Sequence, residues 1–287
     1  SDRPKVLAEV LFEPMIKHVI DSVKKAGIND ICVVTGYARE ILEEYLHKEF
    51  PDVHLVHQTQ RRGTAHAVSM AGEFLSDHID SDVFIVGGDS PFIDAETIDM
   101  AYDCHVTNDY IATVISAKVD DPFGYGRIVR DDVGCVQSIV EQKDADAIVQ
   151  SICEINSGAY WFDVIALLDV LPRIKSDNAQ NEYYLPDAIK FFIADGKSVG
   201  ASVASNTEVV LGANDCFQLN ALNEIARQKV LKKLMLNGVN IPCADGVFIS
   251  NEANFGRKVC IMPGTIIKGS VYIGDNQTVG PYELIEK

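Results

Sequence analysis

The sequence predicts an α/β fold followed by a short parallel β-helix, and three observations point there. From Pro14 to about Asn251, strand-like apolar runs alternate with helix-like spacings. That is the pattern of βαβ units, whose mostly parallel strands need helices on both faces. Past Asp109 the strands lengthen and take on a hairpin texture, which makes the expected sheet mixed. The last segment changes period altogether: Ile249, Phe255, Ile261, Ile267, Ile273, Val279 and Ile285 recur every six residues, and Gly256, Gly274 and Gly280 each follow one of them. A six-residue period with small residues at the corners indicates a parallel β-helix with about three hexapeptides per turn, here in about two coils. A chain of 287 residues, 47% hydrophobic, has room for one large α/β domain and this smaller piece.

The elements follow in order. "PMIKHVIDSVKKAG" carries Met15, Ile16, Val19, Ile20 and Val23 at helical spacing, with Gly27 as its stop. "DICVVTGY" is a strand running into a loop at Gly36, "REILEEYLHKEF" an amphipathic helix and "DVHLVHQ" another short strand. "GTAHAVSMAGEFL" reads as a helix whose first residues, Gly63 and Thr64, supply a flexible start and a candidate N-cap. Val83, Phe84, Ile85 and Val86 form a buried strand, and a helix over about 96–105 comes after it. "YIATVISAKV" is a strand, "DDPFGYGRIVRD" holds a Gly-rich turn, and "CVQSIVEQKDA" and "EINSGAYWFD" are longer strands. A helical stretch over about 215–237 leads into the six-residue repeat.

One strand end poses the functional question. In "VFIVGGDSPFID" the run stops at Gly87 and Gly88, and the carboxylate of Asp89 follows at once. Ligands of open α/β sheets sit beyond the carboxyl ends of the strands. Two residues without side chains beside one carboxylate would let a phosphate and a metal come close, although a plain turn before Pro91 uses the same residue types.

Composition narrows the function classes. The net charge is −17, from 42 acidic against 25 basic residues. Such a field repels nucleic acid and anionic membranes, so neither is an expected partner. No apolar stretch approaches the ~20 residues that span a bilayer, and no signal-peptide pattern opens the chain, so a cytoplasmic location is expected. The cysteines (Cys32, Cys104, Cys135, Cys153, Cys216, Cys243 and Cys260) are scattered, with no CxxC pair. Reduced thiols are expected, rather than a zinc site or a disulfide framework.

Eight segments then carry a resemblance: "PKVL", "QTQRRGTAHA", "GGDSP", "DDPFGYGRI", "IVEQKDA", "EINSGAYWFD", "NAQNEYYLPD" and "LGANDCFQLNAL". In order and spacing they resemble the bifunctional N-acetylglucosamine-1-phosphate uridyltransferase/glucosamine-1-phosphate acetyltransferases, within the sugar nucleotidyltransferases. The resemblance implies a Rossmann-like nucleotidyltransferase domain with a mixed sheet over 1–214. It further implies a linking helical segment over 215–245 and a short left-handed parallel β-helix over 246–287. It implies Mg²⁺-dependent transfer of UMP from UTP to a sugar 1-phosphate, N-acetylglucosamine 1-phosphate first among them, with release of pyrophosphate. The attacking phosphate oxygen is already anionic, so the site needs positioning and charge neutralisation rather than a strong general base. No nucleophile motif is present, in keeping with that chemistry.

Residue by residue, Asp89 matches the family's metal-binding aspartate and Asn214, in "GAND", its second metal ligand. Lys5 matches the lysine at the substrate phosphates, with Arg3 beside it. Gln58, Gly63 and Thr64 match the part that reads uracil, where amides and backbone N–H groups suit a pyrimidine edge. Gly126, Glu141 and Asn156 match the sugar-binding positions, and Asn181, Glu182, Tyr183 and Tyr184 resemble a sugar-side wall or its packing.

The sequence also departs from the family pattern. The signature loop L-x-x-G-x-G-T-R-M and the strand before it do not occur in the sequence, so an upstream extension is expected. Phe12-Glu13 stands where Gly-Lys is frequent, Arg61 where a glutamine helps with the base, Gly87 where a tyrosine is common, and Pro186 where threonine is usual. No histidine follows His105, so acetyl transfer is not expected of this polypeptide, and a homotrimer through the β-helix is left open by two coils. Two alternatives stand beside the first reading: a uridylyltransferase for another sugar 1-phosphate, and a nucleotide-sugar binding module without turnover.

Overall fold

In this computed structural model, which describes residues 3–287, the chain begins with a tight antiparallel pair, β1 (Glu9–Val10) and β2 (Glu13–Pro14). Helix α1 (Met15–Lys25) follows directly, and all five of its expected apolar positions are buried. Two units are then distinguished: residues 18–211 make up one, and residues 5–17 with 212–287 the other.

The first unit starts with β3 (Cys32–Thr35), α2 (Arg39–Glu49) and β4 (His54–His57), whose strands pair in parallel as a βαβ unit should. The stretch expected as one helix is two, α3 (Thr64–Met70) and α4 (Gly72–Ser76), interrupted at Ala71. Then come β5 (Asp82–Ile85), α5 (Ala95–Thr107), β6 (Ala112–Lys118), β7 (Arg127–Arg130) and β8 (Val136–Val140). The unit closes with α6 (Ala147–Gln150), β9 (Glu154–Asp163), α7 (Val164–Val170), α8 (Asp187–Ala194) and β10 (Val199–Val203).

Six of these strands form one mixed sheet in the order β10-β6-β9-β7-β8, with β5 also on β9. The sheet is mixed, as the hairpin texture past Asp109 predicts. Within this sheet β6 and β10 pair in parallel, whereas β9 meets β5, β6 and β7 antiparallel. At ten residues, β9 is long enough to serve β5 with Tyr160–Asp163 and β7 with Ile155. Side chains alternate between the two faces, as the strand period requires. Val114, Tyr160 and Phe162 enter one apolar core and Ile115, Ala159 and Trp161 the other, so the sheet is covered on both sides.

The second unit is organised by α9 (Cys216–Leu236), capped by Asp215, whose carboxylate accepts from Gln218 N at 2.7 Å. Asn223 on this helix holds the N-terminal hairpin: it accepts from Leu11 N at 2.8 Å and donates to Glu9 O at 3.0 Å. The turn it braces has Leu11 and Phe12 in the left-handed region, at φ 49° and 76°, a conformation that glycine adopts at least cost.

Seven short strands complete the chain: β11 (Phe248–Ile249), β12 (Asn254–Phe255), β13 (Cys260–Ile261), β14 (Ile266–Lys268), β15 (Tyr272–Ile273), β16 (Thr278–Val279) and β17 (Leu284–Glu286). Each of the seven six-residue positions lies in its own strand. All pairings are parallel, and like stacks on like: Ile249 on Ile267 on Ile285, Phe255 on Ile273, Ile261 on Val279. These parallel strands have the register of a short β-helix. Among the described residues no helix is long and apolar enough to cross a membrane.

Candidate active site

Asp89 lies half-buried in the turn that follows β5. A Cβ on Gly87 would stand 2.8 Å from Asp89 Oδ1, so the carboxylate fills space that any side chain at 87 would take. Ser90 N closes the turn by donating to Gly87 O at 3.3 Å. The bare backbone at the strand end therefore decides where this charge can sit.

In the other unit, Lys5 Nζ donates to Asn214 Oδ1 at 2.8 Å. An asparagine ahead of a helix is commonly its cap, but here Asp215 has that task, and Asn214 N instead donates to Gln218 Oε1 at 2.7 Å. The carboxamide oxygen of Asn214 is thus turned to a cation rather than to the helix. Asp89 belongs to one unit and the Lys5–Asn214 pair to the other.

Gln58 and Gly63 meet. Gln58 N extends the ladder of β3 and β4 by donating to Thr35 O at 2.8 Å, while its Nε2 donates to Gly63 O at 3.2 Å. Gly63 has φ +103°, and a Cβ there would lie 2.6 Å from Tyr183 O and 2.8 Å from Tyr183 N; both the conformation and the close approach need glycine. Tyr183 N donates to Arg62 O at 2.7 Å, and Ala65 N to Tyr183 O at 2.9 Å. Thr64 is not the expected N-cap: it is the first residue of α3, and its Oγ1 accepts from Leu185 N at 2.9 Å. The segment around 183–185, not the helix, uses that hydroxyl. Arg61 lies over the Tyr37 ring at 5.5 Å.

Gly126, Glu141 and Asn156 also meet. Asn156 N donates to Gly126 O at 2.8 Å, and a Cβ on Gly126 would lie 2.9 Å from Glu141 Oε1. The Asn156 carboxamide is part-committed to its own strand, donating to Tyr160 Oη at 2.6 Å and accepting from Gly158 N at 3.0 Å. Glu141 lines a cavity with Asp144, Tyr184, Pro186, Asp187 and Lys190. Burial pushes its carboxyl above the usual range, and the charges of Asp144 and Asp187 push the same way against Arg127 and Lys190. Tyr183 and Tyr184 separate: the first clamps Gly63 through its backbone, the second faces the cavity.

Two participants escaped the sequence reading. His66 Nδ1 lies 2.8 Å from Gln58 Nε2. Arg127, 1% exposed, bonds Gln142 Oε1 at 2.8 Å and the oxygen of Tyr125, and its charge opposes the upward shift of Glu141. No spacing rule finds His66, because Gln58 follows the end of a strand and His66 sits in a helix.

Residues 1–229 match the nucleotidyl transferase family. The chain belongs to that family. Relatives named bifunctional protein GlmU include those of Caldanaerobacter subterraneus, 40% identical over 99% of this chain and 61% of that protein, and Clostridioides difficile, 36% identical over 98% and 60%. A Geobacillus relative of the same name is 39% identical over 100% and 61%. The chain thus spans about three-fifths of the length of these relatives. Among solved structures, a Bacillus anthracis chain provisionally assigned as a glucose-1-phosphate thymidylyltransferase, crystallised with a sucrose, superposes with a TM-score of 0.62 at 21% identity. That match covers 78% of this chain and 86% of that one, and it supports the nucleotidyl transferase fold.

Proposed function

We propose that this nucleotidyl transferase carries out Mg²⁺-dependent transfer of UMP from UTP to N-acetylglucosamine 1-phosphate, giving UDP-N-acetylglucosamine and pyrophosphate. The observation that carries the reading is the meeting of Gly126, Glu141 and Asn156 beside a cavity. It supplies a carboxylate and an amide for sugar hydroxyls and an acetamido group. The relatives named GlmU, at 36–40% identity, support the same reaction class.

A phosphate oxygen of the sugar 1-phosphate attacks the α-phosphorus, a new P–O bond forms, and the bond to the bridging oxygen of the β-phosphate breaks to release pyrophosphate. Because the nucleophile is an anion, Glu141 is assigned no proton transfer; ionised, it accepts hydrogen bonds from the sugar. Lys5 steadies the phosphates. Gln58, with the Gly63-Thr64 backbone, reads the base.

The residues present fit Mg²⁺. Asp89 offers a hard carboxylate oxygen, and Asn214 Oδ1 already faces an ammonium at 2.8 Å, as a cation ligand would. Among the described residues no group of three or more His, Cys, Asp or Glu could hold a metal. Mg²⁺ takes one or two protein oxygens and fills its shell with phosphate and water. Bound at Asp89, it would supply charge neutralisation for the triphosphate. Asn214 as second ligand rests on the resemblance and on this oxygen.

Pyrophosphate release from UTP tests the reading, with N-acetylglucosamine 1-phosphate, glucose 1-phosphate or no acceptor, at several Mg²⁺ concentrations. Release with the acetamido sugar, lost in Asp89→Ala, is expected. Equal use of glucose 1-phosphate would move the assignment to another sugar. UDP-N-acetylglucosamine binding without pyrophosphate release would make the chain a binding module.

A further inference from the structure

The side-chain amide of Gln58 has one orientation open to it. Gly63 O can only accept, so the group facing it at 3.2 Å is the amide nitrogen. Its second proton points to His66 Nδ1 at 2.8 Å, which must then be the bare nitrogen of a neutral imidazole protonated on Nε2. Both protons of the amide are therefore committed, and among the described residues nothing donates to Oε1. What Gln58 offers a ligand is an acceptor, not a donor.

That choice has a consequence for bases. Uracil presents an N3–H between two carbonyls, whereas cytosine presents a bare N3 at the same place. An acceptor fixed at this point pairs with the first and faces the lone pair of the second. Reversing the amide would set its oxygen against Gly63 O, a repulsive contact in place of a hydrogen bond, and could keep the contact to His66 only by moving the imidazole proton to Nδ1.

We infer that His66 is a positioning residue for base selection, holding the Gln58 carboxamide oxygen outward so that the site takes pyrimidines bearing an imide N–H. The inference rests on the uridylyl reading above and adds to it the residue that enforces the choice of base.

The test compares UTP and CTP, as kcat/KM and as binding affinity, on the full chain and two variants. His66→Leu removes the acceptor, so the preference for UTP is expected to fall about tenfold, the worth of one hydrogen bond, while KM for the sugar phosphate stays put. His66→Asn places an amide oxygen near the position of Nδ1 and is expected to restore most of the preference. An unchanged ratio in folded His66→Leu overturns the inference. Should that variant fail to fold, nitrogen-15 NMR of the unaltered protein decides: His66 protonated on Nδ1 overturns the inference, and a bare Nδ1 supports it. Failure of the unaltered protein to bind UTP at all would instead overturn the uridylyl reading, and base selection with it.

Discussion

The two corners of the α/β unit are built on different physics. Around Gln58 and Gly63 the contacts are hydrogen bonds and close packing: backbone bonds, an amide against an imidazole, and a glycine with the Tyr183 backbone where its Cβ would be. Around Gly126 and Glu141 the controlling terms are charges: a half-buried carboxylate, two more carboxylates raising its pKa, and Arg127 and Lys190 opposing them. The first corner fixes shape and donor pattern and tolerates little movement. The second holds a flexible side chain in an electrostatic balance, and should respond to pH and charge rather than to bulk.

Substitutions can break that contrast, beginning with the most severe. Gly63→Ala combines a strained φ of +103° with a Cβ 2.6 Å from a backbone oxygen. Chemical denaturation should show a loss of about 3 kcal/mol, and UTP turnover should fall by roughly 100-fold. Gly126→Ala meets the end of Glu141, 2.9 Å away, which can swing aside, and Ile139 Cγ2 at 3.3 Å, which need give only a few tenths of an ångström. Stability should drop by about 1 kcal/mol or less, while KM for the sugar phosphate rises about tenfold and KM for UTP does not move. Equal losses at the two glycines would dissolve the distinction.

Next comes Glu141→Gln. The carboxyl is pushed above its ordinary range by burial, then by Asp144 and Asp187. The folded state therefore holds its proton more tightly than the unfolded chain, and the ionised form costs stability at and above neutral pH. The variant should melt at a higher temperature than the parent at pH 8 and lose that advantage in acid, while binding the sugar phosphate more weakly. In the parent, KM for the sugar phosphate should rise as pH falls, starting above the normal carboxylate range, and Glu141→Gln should flatten that profile. Smallest of all is Asp195→Asn, which removes an exposed pair with Arg173. Neither melting nor turnover should change measurably, since water and salt already screen the pair.

What was legible in the sequence follows the range of the interactions. The six-residue positions could be read singly, because each falls in its own short strand and stacks on the equivalent position three repeats away. The bounds of α9 were equally clear, because Asp215 and Asn237 are local signals. The mixed sheet was visible in texture but not in pairing. The choice of β5, β6 and β7 as antiparallel neighbours of β9 depends on contacts between segments far apart in the chain. The break at Ala71 was missed because its apolar pattern runs through. At the site, residue types in register placed Gln58, Gly126 and Glu141, but not the packing that gives them direction. Thr64 looked like a cap until Leu185 claimed its hydroxyl.

The stacking of Ile249, Ile267 and Ile285 gives this end of the chain something like a reading frame. Excising a whole coil would leave every column above and below in phase. Excising six residues would move each later strand one side around the helix, and apolar would still meet apolar. Removing one or two would throw all subsequent columns out of step, turning inward side chains to water and outward ones to the core. Length changes in this segment should therefore be tolerated by phase rather than by size.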